Sequence, residues 1–215
     1  MGDIAKDVAK ILLEIKAVTL NPQKPYRYAS GMLSPIYCDN RLVMSYPDKR
    51  ARIVDYFAKV VKDRKLDFDI VAGIASSGIP HAAWLAEKLG KPMIYIRKEA
   101  KDHGKENLIE GKMEPGQRIL IVEDLISTGG SSIAGVEAVR SQGGVVEHCL
   151  AIFTYDMAKA KAAFSQAKCE LIPLSDFTTL ISVAGDMKYI NHDEAARVLE
   201  WNKDPPNWGR KMGFE

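Results

Sequence analysis

Four apolar residues, Ile119-Leu120-Ile121-Val122, lead into two adjacent acids, Glu123 and Asp124, and then into Leu125-Ile126-Ser127-Thr128-Gly129-Gly130-Ser131-Ser132. Each part of this run has a chemical use. Gly129 and Gly130 let the backbone turn tightly and approach a ligand with no Cβ in the way. Amides from Thr128 to Ser132, at the start of a helix, cradle an anion such as a phosphate, and the serine and threonine hydroxyls add donors. Glu123 and Asp124 would repel a phosphate at contact distance, so they face something else, such as vicinal sugar hydroxyls or a magnesium-bridged group. Together the residues fit a sugar 5-phosphate. A plain serine-capped glycine turn is the alternative, and it leaves two acids at the end of an apolar strand without a packing reason.

Other phosphate motifs fit less well. GxGxxG is absent, and although Gly73 and Gly78 have the spacing of a nucleoside triphosphate loop, Ile79-Pro80 stand where Lys and Ser/Thr are needed. The Ala75–Pro80 loop offers amides and hydroxyls at Ser76 and Ser77, or it is simply a strand-to-helix turn with Pro80 in the first helical turn. Residues 97–112 carry five bases (Arg97, Lys98, Lys101, Lys105, Lys112) against four acids (Glu99, Asp102, Glu106, Glu110). Such a balance makes a poor polyanion patch. It suits a mobile cover hinged at Gly104 and Gly111 that brings a few cations to one pyrophosphate.

The run 119–132 resembles the phosphoribosyl pyrophosphate (PRPP) motif of type I phosphoribosyltransferases. Tyr28-Ala-Ser-Gly-Met-Leu-Ser-Pro-Ile-Tyr-Cys-Asp-Asn-Arg41 resembles the base-binding segment of the orotate branch, and Arg97-Lys-Glu-Ala-Lys-Asp-His-Gly104 its catalytic loop. With Ile74–Pro80 and Ile152–Asp156 the similarity spans most of the chain. It implies transfer of ribose 5-phosphate from PRPP to orotate, giving orotidine 5′-monophosphate and pyrophosphate in pyrimidine biosynthesis. It also implies a homodimer in which Arg97, Lys98, Lys101 and His103 reach pyrophosphate across the interface. PRPP would be held by these residues, by Ser76 and Ser77, and by the run Glu123, Asp124, Leu125, Ile126, Ser127, Thr128, Gly129, Gly130 and Ser131. Lys101, His103 and Asp124 would be catalytic. Magnesium would arrive with PRPP, with Asp124 as the candidate protein ligand.

The chain departs from the family at the base. One branch of the family carries Lys at the position of Ser77 and Arg at that of Tyr155, and many members carry Lys near Leu33 or Ala29; the Ile-Phe-Thr-Tyr form found here occurs in another branch. Backbone amides near residues 30–34, with Ser127, Tyr37 and Arg41, are therefore expected to hold orotate. A transferase for another base, such as a purine or uracil, and a PRPP-sensing regulator stay open as alternatives.

The elements that must position these groups follow from periodicity. Ile4, Val8, Ile11, Leu12 and Ile15 mark a helix over 3–17, and Pro47 opens another toward Asp63. After that, apolar strands at 69–74, 92–97, 118–124, 145–155 and 168–174 alternate with helices. This is the α/β pattern of a mostly parallel sheet covered on both faces, with ligands beyond the strands' carboxyl ends. The sequence predicts a type I phosphoribosyltransferase-like single domain over 1–215, with a base-binding hood at about 20–45, a mobile loop at about 97–112, and helical C-terminal segments ending in a polar tail, NKDPPNWGRKMGFE. Length and composition agree: 215 residues with 47% hydrophobic bury an ordinary core, and 30 Lys+Arg against 28 Asp+Glu argue against a nucleic-acid binder. The three cysteines, Cys38, Cys149 and Cys169, fit apolar filler in a reducing compartment. With no signal peptide and no apolar run of about 20 residues, a cytoplasmic protein off the membrane is expected.

Overall fold

The computed structural model describes residues 2–28, 30–98 and 108–214. Helix α1 (Gly2–Glu14) leads to an N-terminal hood of short strands, β1 (Val18–Leu20), β2 (Tyr26–Arg27), β3 (Leu33–Ser34) and β4 (Ile36–Cys38), and a 3-10 turn over Asn40–Ser45. Strands β1 and β4 pair antiparallel, as do β2 and β3. Helix α2 (Pro47–Asp63) follows, with proline in its first turn, where no amide partner is lost. The α/β body is β5 (Ile70–Ile74), α3 (Gly78–Leu89), β6 (Met93–Ile96), β7 (Ile109–Glu110), β8 (Arg118–Ile126), α4 (Gly130–Ser141), β9 (Val145–Thr154), α5 (Ala158–Gln166) and β10 (Glu170–Asp176). Helices α6 (Phe177–Asp186), α7 (His192–Lys203) and α8 (Pro205–Lys211) close the chain.

Among the described residues the main sheet has six strands in the order β10-β9-β8-β5-β6-β7. All neighbours are parallel except β7, which pairs antiparallel to β6. The far end of the expected mobile loop is thus an edge strand, and Ile109 is buried.

Alternate side chains of each parallel strand feed two cores. Leu120 and Val122 join Val71, Leu150 and Ile152 beneath α1, α2, α3 and α6. Ile119 and Ile121 join Ala72, Cys149 and Ala151 beneath α4 and α5. A strand covered on both faces needs apolar residues at every position, which is why 119–122 reads as an unbroken apolar run. Cys149 and Cys169 are buried there as small fillers.

The expected polar tail is instead a structural clamp. Trp208 on α8 is buried, and its indole N–H donates to the Arg197 carbonyl (2.9 Å). Trp201 on α7 is buried too and donates to the Leu33 carbonyl in the hood (3.1 Å). Gly209 lies so close that a Cβ there would meet Leu33 Cδ1 at 2.8 Å. Polar residues dominate the tail's composition, but two indoles supply enough apolar area to anchor it. Trp208→Ala should cost about 3–5 kcal/mol of unfolding free energy, the usual loss for truncating a buried aromatic, read from urea denaturation at constant m-value.

Candidate active site

Strand lengths open the site. Strand β5 stays beside β8 only as far as Gly73↔Val122, whereas β9 accompanies β8 to Ile126↔Thr154. Beyond Val122, β8 is therefore open on its β5 flank. The chain leaves β5 through Ala75–Ser77 and re-enters the sheet on the far side, so this gap is also where strand order reverses, the usual crevice for ligands in such sheets. A cis peptide joins Ala75 and Ser76.

The first cleft, about 240 Å³, sits in this gap and gathers Ser76, Ser77, Lys98, Glu123, Asp124 and Arg41. Helix α3 closes its base. A Cβ on Gly78 would lie 2.5 Å from the Val122 carbonyl and 3.3 Å from Glu123 Oε1, so only glycine lets α3 start here. Asn40 fixes the opposite wall: buried at the start of the 3-10 turn, it donates from Nδ2 to the Asp124 carbonyl (2.7 Å). The sequence reading passed over Asn40. Its signal was a lone amide between Asp39 and Arg41 just after a strand.

The two acids are electrostatically unlike ordinary carboxylates. Burial pushes Glu123 up to about 9, helped by the neighbouring Asp124 charge, and its Oε1 accepts the Asp124 amide (3.0 Å). Asp124 is raised as well, again chiefly by burial. A raised pair of this kind in a cleft marks functional sites more often than structural ones. Arg41 is held by Asp39, Nε to Oδ1 at 2.6 Å and Nη2 to Oδ2 at 2.9 Å, which lowers Asp39. Arg97 pairs with Glu110 on β7 (3.2 Å), which leaves Lys98 as the cleft's other cation among the described residues.

The anion cradle lies at the tip of β8. Gly129 takes a left-handed conformation (φ 80°) at the cap of α4, and no side chain caps that helix. The first intrahelical bond runs from Ile133 N to the Gly129 carbonyl (2.9 Å). The amides of Gly130, Ser131 and Ser132 thus lack intrahelical acceptors, and space in front of Gly130 is open. A side chain at Gly129 would be strained and would press on Phe164 at 3.2 Å.

A second cavity, about 440 Å³, lies on the β9 flank, where Ser127 and Thr128 meet Tyr28, Met32 and Tyr155 under α8's Pro205. The residues expected to hold the base are therefore split: Ser127 lines this cavity, whereas Arg41 lies across β8 in the first cleft. Tyr37 is exposed, its ring tilted against Tyr26, and it lines neither. Strand β4 is an alternating strand, so burying Ile36 turns Tyr37 outward. Lys101 and His103 lie outside the described residues. Size alone does not select the site: a groove of about 670 Å³ between α6 and α7 has mostly apolar walls, such as Ile181, Ile190 and Leu199, and no acid.

A family model described as "Phosphoribosyl transferase domain" matches residues 46–176. The chain is 55% identical to an orotate phosphoribosyltransferase of Coxiella burnetii, over 95% of this chain and 98% of that one. It is 48% identical to the enzyme so named from Enterococcus faecalis, over 98% and 100%. The chain belongs to the orotate phosphoribosyltransferase family. Solved structures agree: a TM-score of 0.73 at 26% identity with the orotate phosphoribosyltransferase of Aeropyrum pernix, covering 86% of this chain and 99% of that one. Leishmania donovani UMP synthase gives 0.80 at 28% identity, with this phosphoribosyltransferase chain covering 42% of that larger one. The family's type I fold is the architecture described above, and no helix among the described residues is long and apolar enough to cross a membrane.

Glu123 makes stability pH-dependent in a definite direction. Its carboxyl stays protonated in the fold up to about 9 but ionises near 4.5 when exposed, so the folded chain holds more protons between those limits and stability falls as pH rises. His81, buried without a partner and pushed down to about 4, acts oppositely and only below about 6.5. Between about pH 7 and about pH 9 the ligand-free urea midpoint should therefore decline, and Glu123→Gln should flatten that decline. An unchanged slope in the variant would assign the effect elsewhere.

Proposed function

We propose that the chain transfers ribose 5-phosphate from PRPP to a ring nitrogen of orotate, giving orotidine 5′-monophosphate and pyrophosphate for pyrimidine nucleotide synthesis in the cytoplasm. One observation carries the reading: the anion cradle and the two acids at the tip of β8 stand between two cavities on opposite flanks. Displacement at a sugar C1 needs the leaving group on one face and the acceptor nitrogen on the other. A ribose held at Glu123–Asp124, with its 5-phosphate on the amides of Gly130–Ser132, sends its pyrophosphate toward Ser76, Ser77 and Lys98. Its opposite face looks to the cavity of Tyr28, Ser127 and Tyr155. The relatives' names supply orotate as the acceptor.

The chain's task is then mostly positioning and charge stabilisation. As the C1–O bond breaks and the C1–N bond forms, the acceptor's ring proton leaves to solvent and negative charge grows on pyrophosphate. Lys98 and the Ser76–Ser77 loop meet that charge. Glu123, neutral through burial, donates a hydrogen bond to a ribose hydroxyl or accepts one from it without repelling the phosphates, and Asp124 takes the neighbouring hydroxyl. Among the described residues no three His, Cys, Asp or Glu side chains converge on a metal site. Asp124 would be the protein carboxylate that meets a magnesium ion arriving with PRPP, an assignment that rests on the family resemblance. When bound, the ion neutralises the pyrophosphate as it leaves. We assign Lys101 and His103 to the same pyrophosphate, delivered from the partner copy of a homodimer, on the sequence resemblance.

Purified protein should consume orotate absorbance only with PRPP and magnesium together. Turnover of uracil or hypoxanthine without turnover of orotate would overturn the acceptor. Because Arg41 lines the first cleft and Ser127 the second cavity, we assign Arg41 to pyrophosphate rather than to the base. Arg41→Ala should raise KM for PRPP severalfold while KM for orotate stays within about twofold, a loss of binding confined to one substrate. The reverse pattern would return Arg41 to the base.

A further inference from the structure

The cavity on the β9 flank lacks an obvious partner for a carboxylate. Tyr155 occupies its floor at a position where the sequence led one to look for a base. Its hydroxyl is 3.3 Å from that of Tyr28, and Tyr28 donates to the Ile36 carbonyl (2.8 Å). Since Tyr28's single proton is spent on that carbonyl, Tyr155 must be the donor within the pair. Both hydroxyl protons are thus committed inward, and burial keeps both phenols neutral by raising them. The floor can stack against a planar ring, but it has no proton left for an anion.

Charge comes from the rim instead. No acid lines this cavity among the described residues, whereas two lysines do, Lys159 on the first turn of α5 and Lys203 at the end of α7. They differ in availability. Lys203 is tied to Glu200, three residues back on its own helix. The next cation of α5, Lys161, is tied to Asp156 (2.7 Å). Lys159 is exposed and forms no ion pair with the described residues. It also sits at the start of a helix with no side-chain cap, where unpaired amides favour an anion. A neutral aromatic floor beneath an unpaired ammonium is complementary to a flat heterocycle bearing one negative group.

We propose that Lys159 is the specificity residue of this cavity, meeting the exocyclic carboxylate of the pyrimidine acceptor. The assignment rests on orotate being the acceptor. It makes α5, rather than the hood or the β9 loop, the source of charge discrimination between orotate and an uncharged pyrimidine such as uracil. The side chain's long, flexible stem lets the ammonium reach the edge of a ring seated in the cavity that Lys159 and Met157 both line.

The test compares Lys159→Ala, Lys159→Arg and Lys161→Ala in the intact enzyme with orotate, uracil and PRPP as variable substrates. Lys159→Ala should raise KM for orotate roughly tenfold or more, the usual effect of losing a charge-assisted contact, and leave KM for PRPP within about twofold. Its kcat/KM for uracil, however small, should not fall, because that base has no carboxylate to lose. Arginine should recover much of the orotate affinity, and Lys161→Ala should resemble the parent. Equal losses for orotate and uracil, or an unchanged KM for orotate, would overturn the proposal. A parent protein that ignores orotate altogether would instead refute the acceptor, and that result is read before any variant is made.

Discussion

The site depends on one mismatch of length: β8 runs past β5 but not past β9. Parallel strands in register satisfy each other's backbone groups, so a strand that outlasts one neighbour opens a flank, here at the reversal of strand order. The candidate site is arranged along that open flank, from the buried Glu123 to the exposed Ser131. Gly78 is the condition for it. Were α3 to begin with any side chain, it would meet the Val122 carbonyl at 2.5 Å, and the helix would move off the end of β8 or push Glu123 out of its place.

Burial then changes what the acids are. Two exposed carboxylates at a strand end would carry two negative charges and oppose a triply phosphorylated sugar. Desolvation beneath α3 and the hood raises both. The site can therefore offer hydrogen bonds to sugar hydroxyls at smaller electrostatic cost to the phosphates a few ångströms away. The cost falls on the ligand-free fold, in which a neutral Glu123 is favoured and an ionised one is not. An active site that works against its own fold in this way is expected where function sets the chemistry.

Legibility in the sequence followed the range of the interaction. The strands and helices of the body were readable because a doubly covered strand is apolar throughout and α4 is announced by its glycines. The cradle was readable for the same reason, since its amides, its left-handed Gly129 and its serines are consecutive. The hood's short strands were not, because Tyr26–Arg27 and Leu33–Ser34 are held by each other and by Trp201 from far along the chain. The C-terminal helix was misjudged as a polar tail because two residues, Trp201 and Trp208, outweigh the polar majority once a partner surface exists. Arg41 and Ser127 come from two segments that the resemblance alone assigns to one base site; only the sheet shows that they line different cavities on opposite sides of β8.

By itself, then, the sequence determined the fold class, the glycine turn into the start of α4 and the pair of acids at the end of β8, since all three are written in contiguous residues whose local geometry is set by strand burial, glycine and helix ends. Tertiary structure decided which groups share a cavity. It placed Asn40 behind Asp124, put Arg41 in the first cleft with Ser76, Ser77 and Lys98, and brought α5 and the C-terminal helices to the other flank. Cavity membership depends on strand order and on how far each strand extends, and both are properties of chain segments that meet only when the sheet closes.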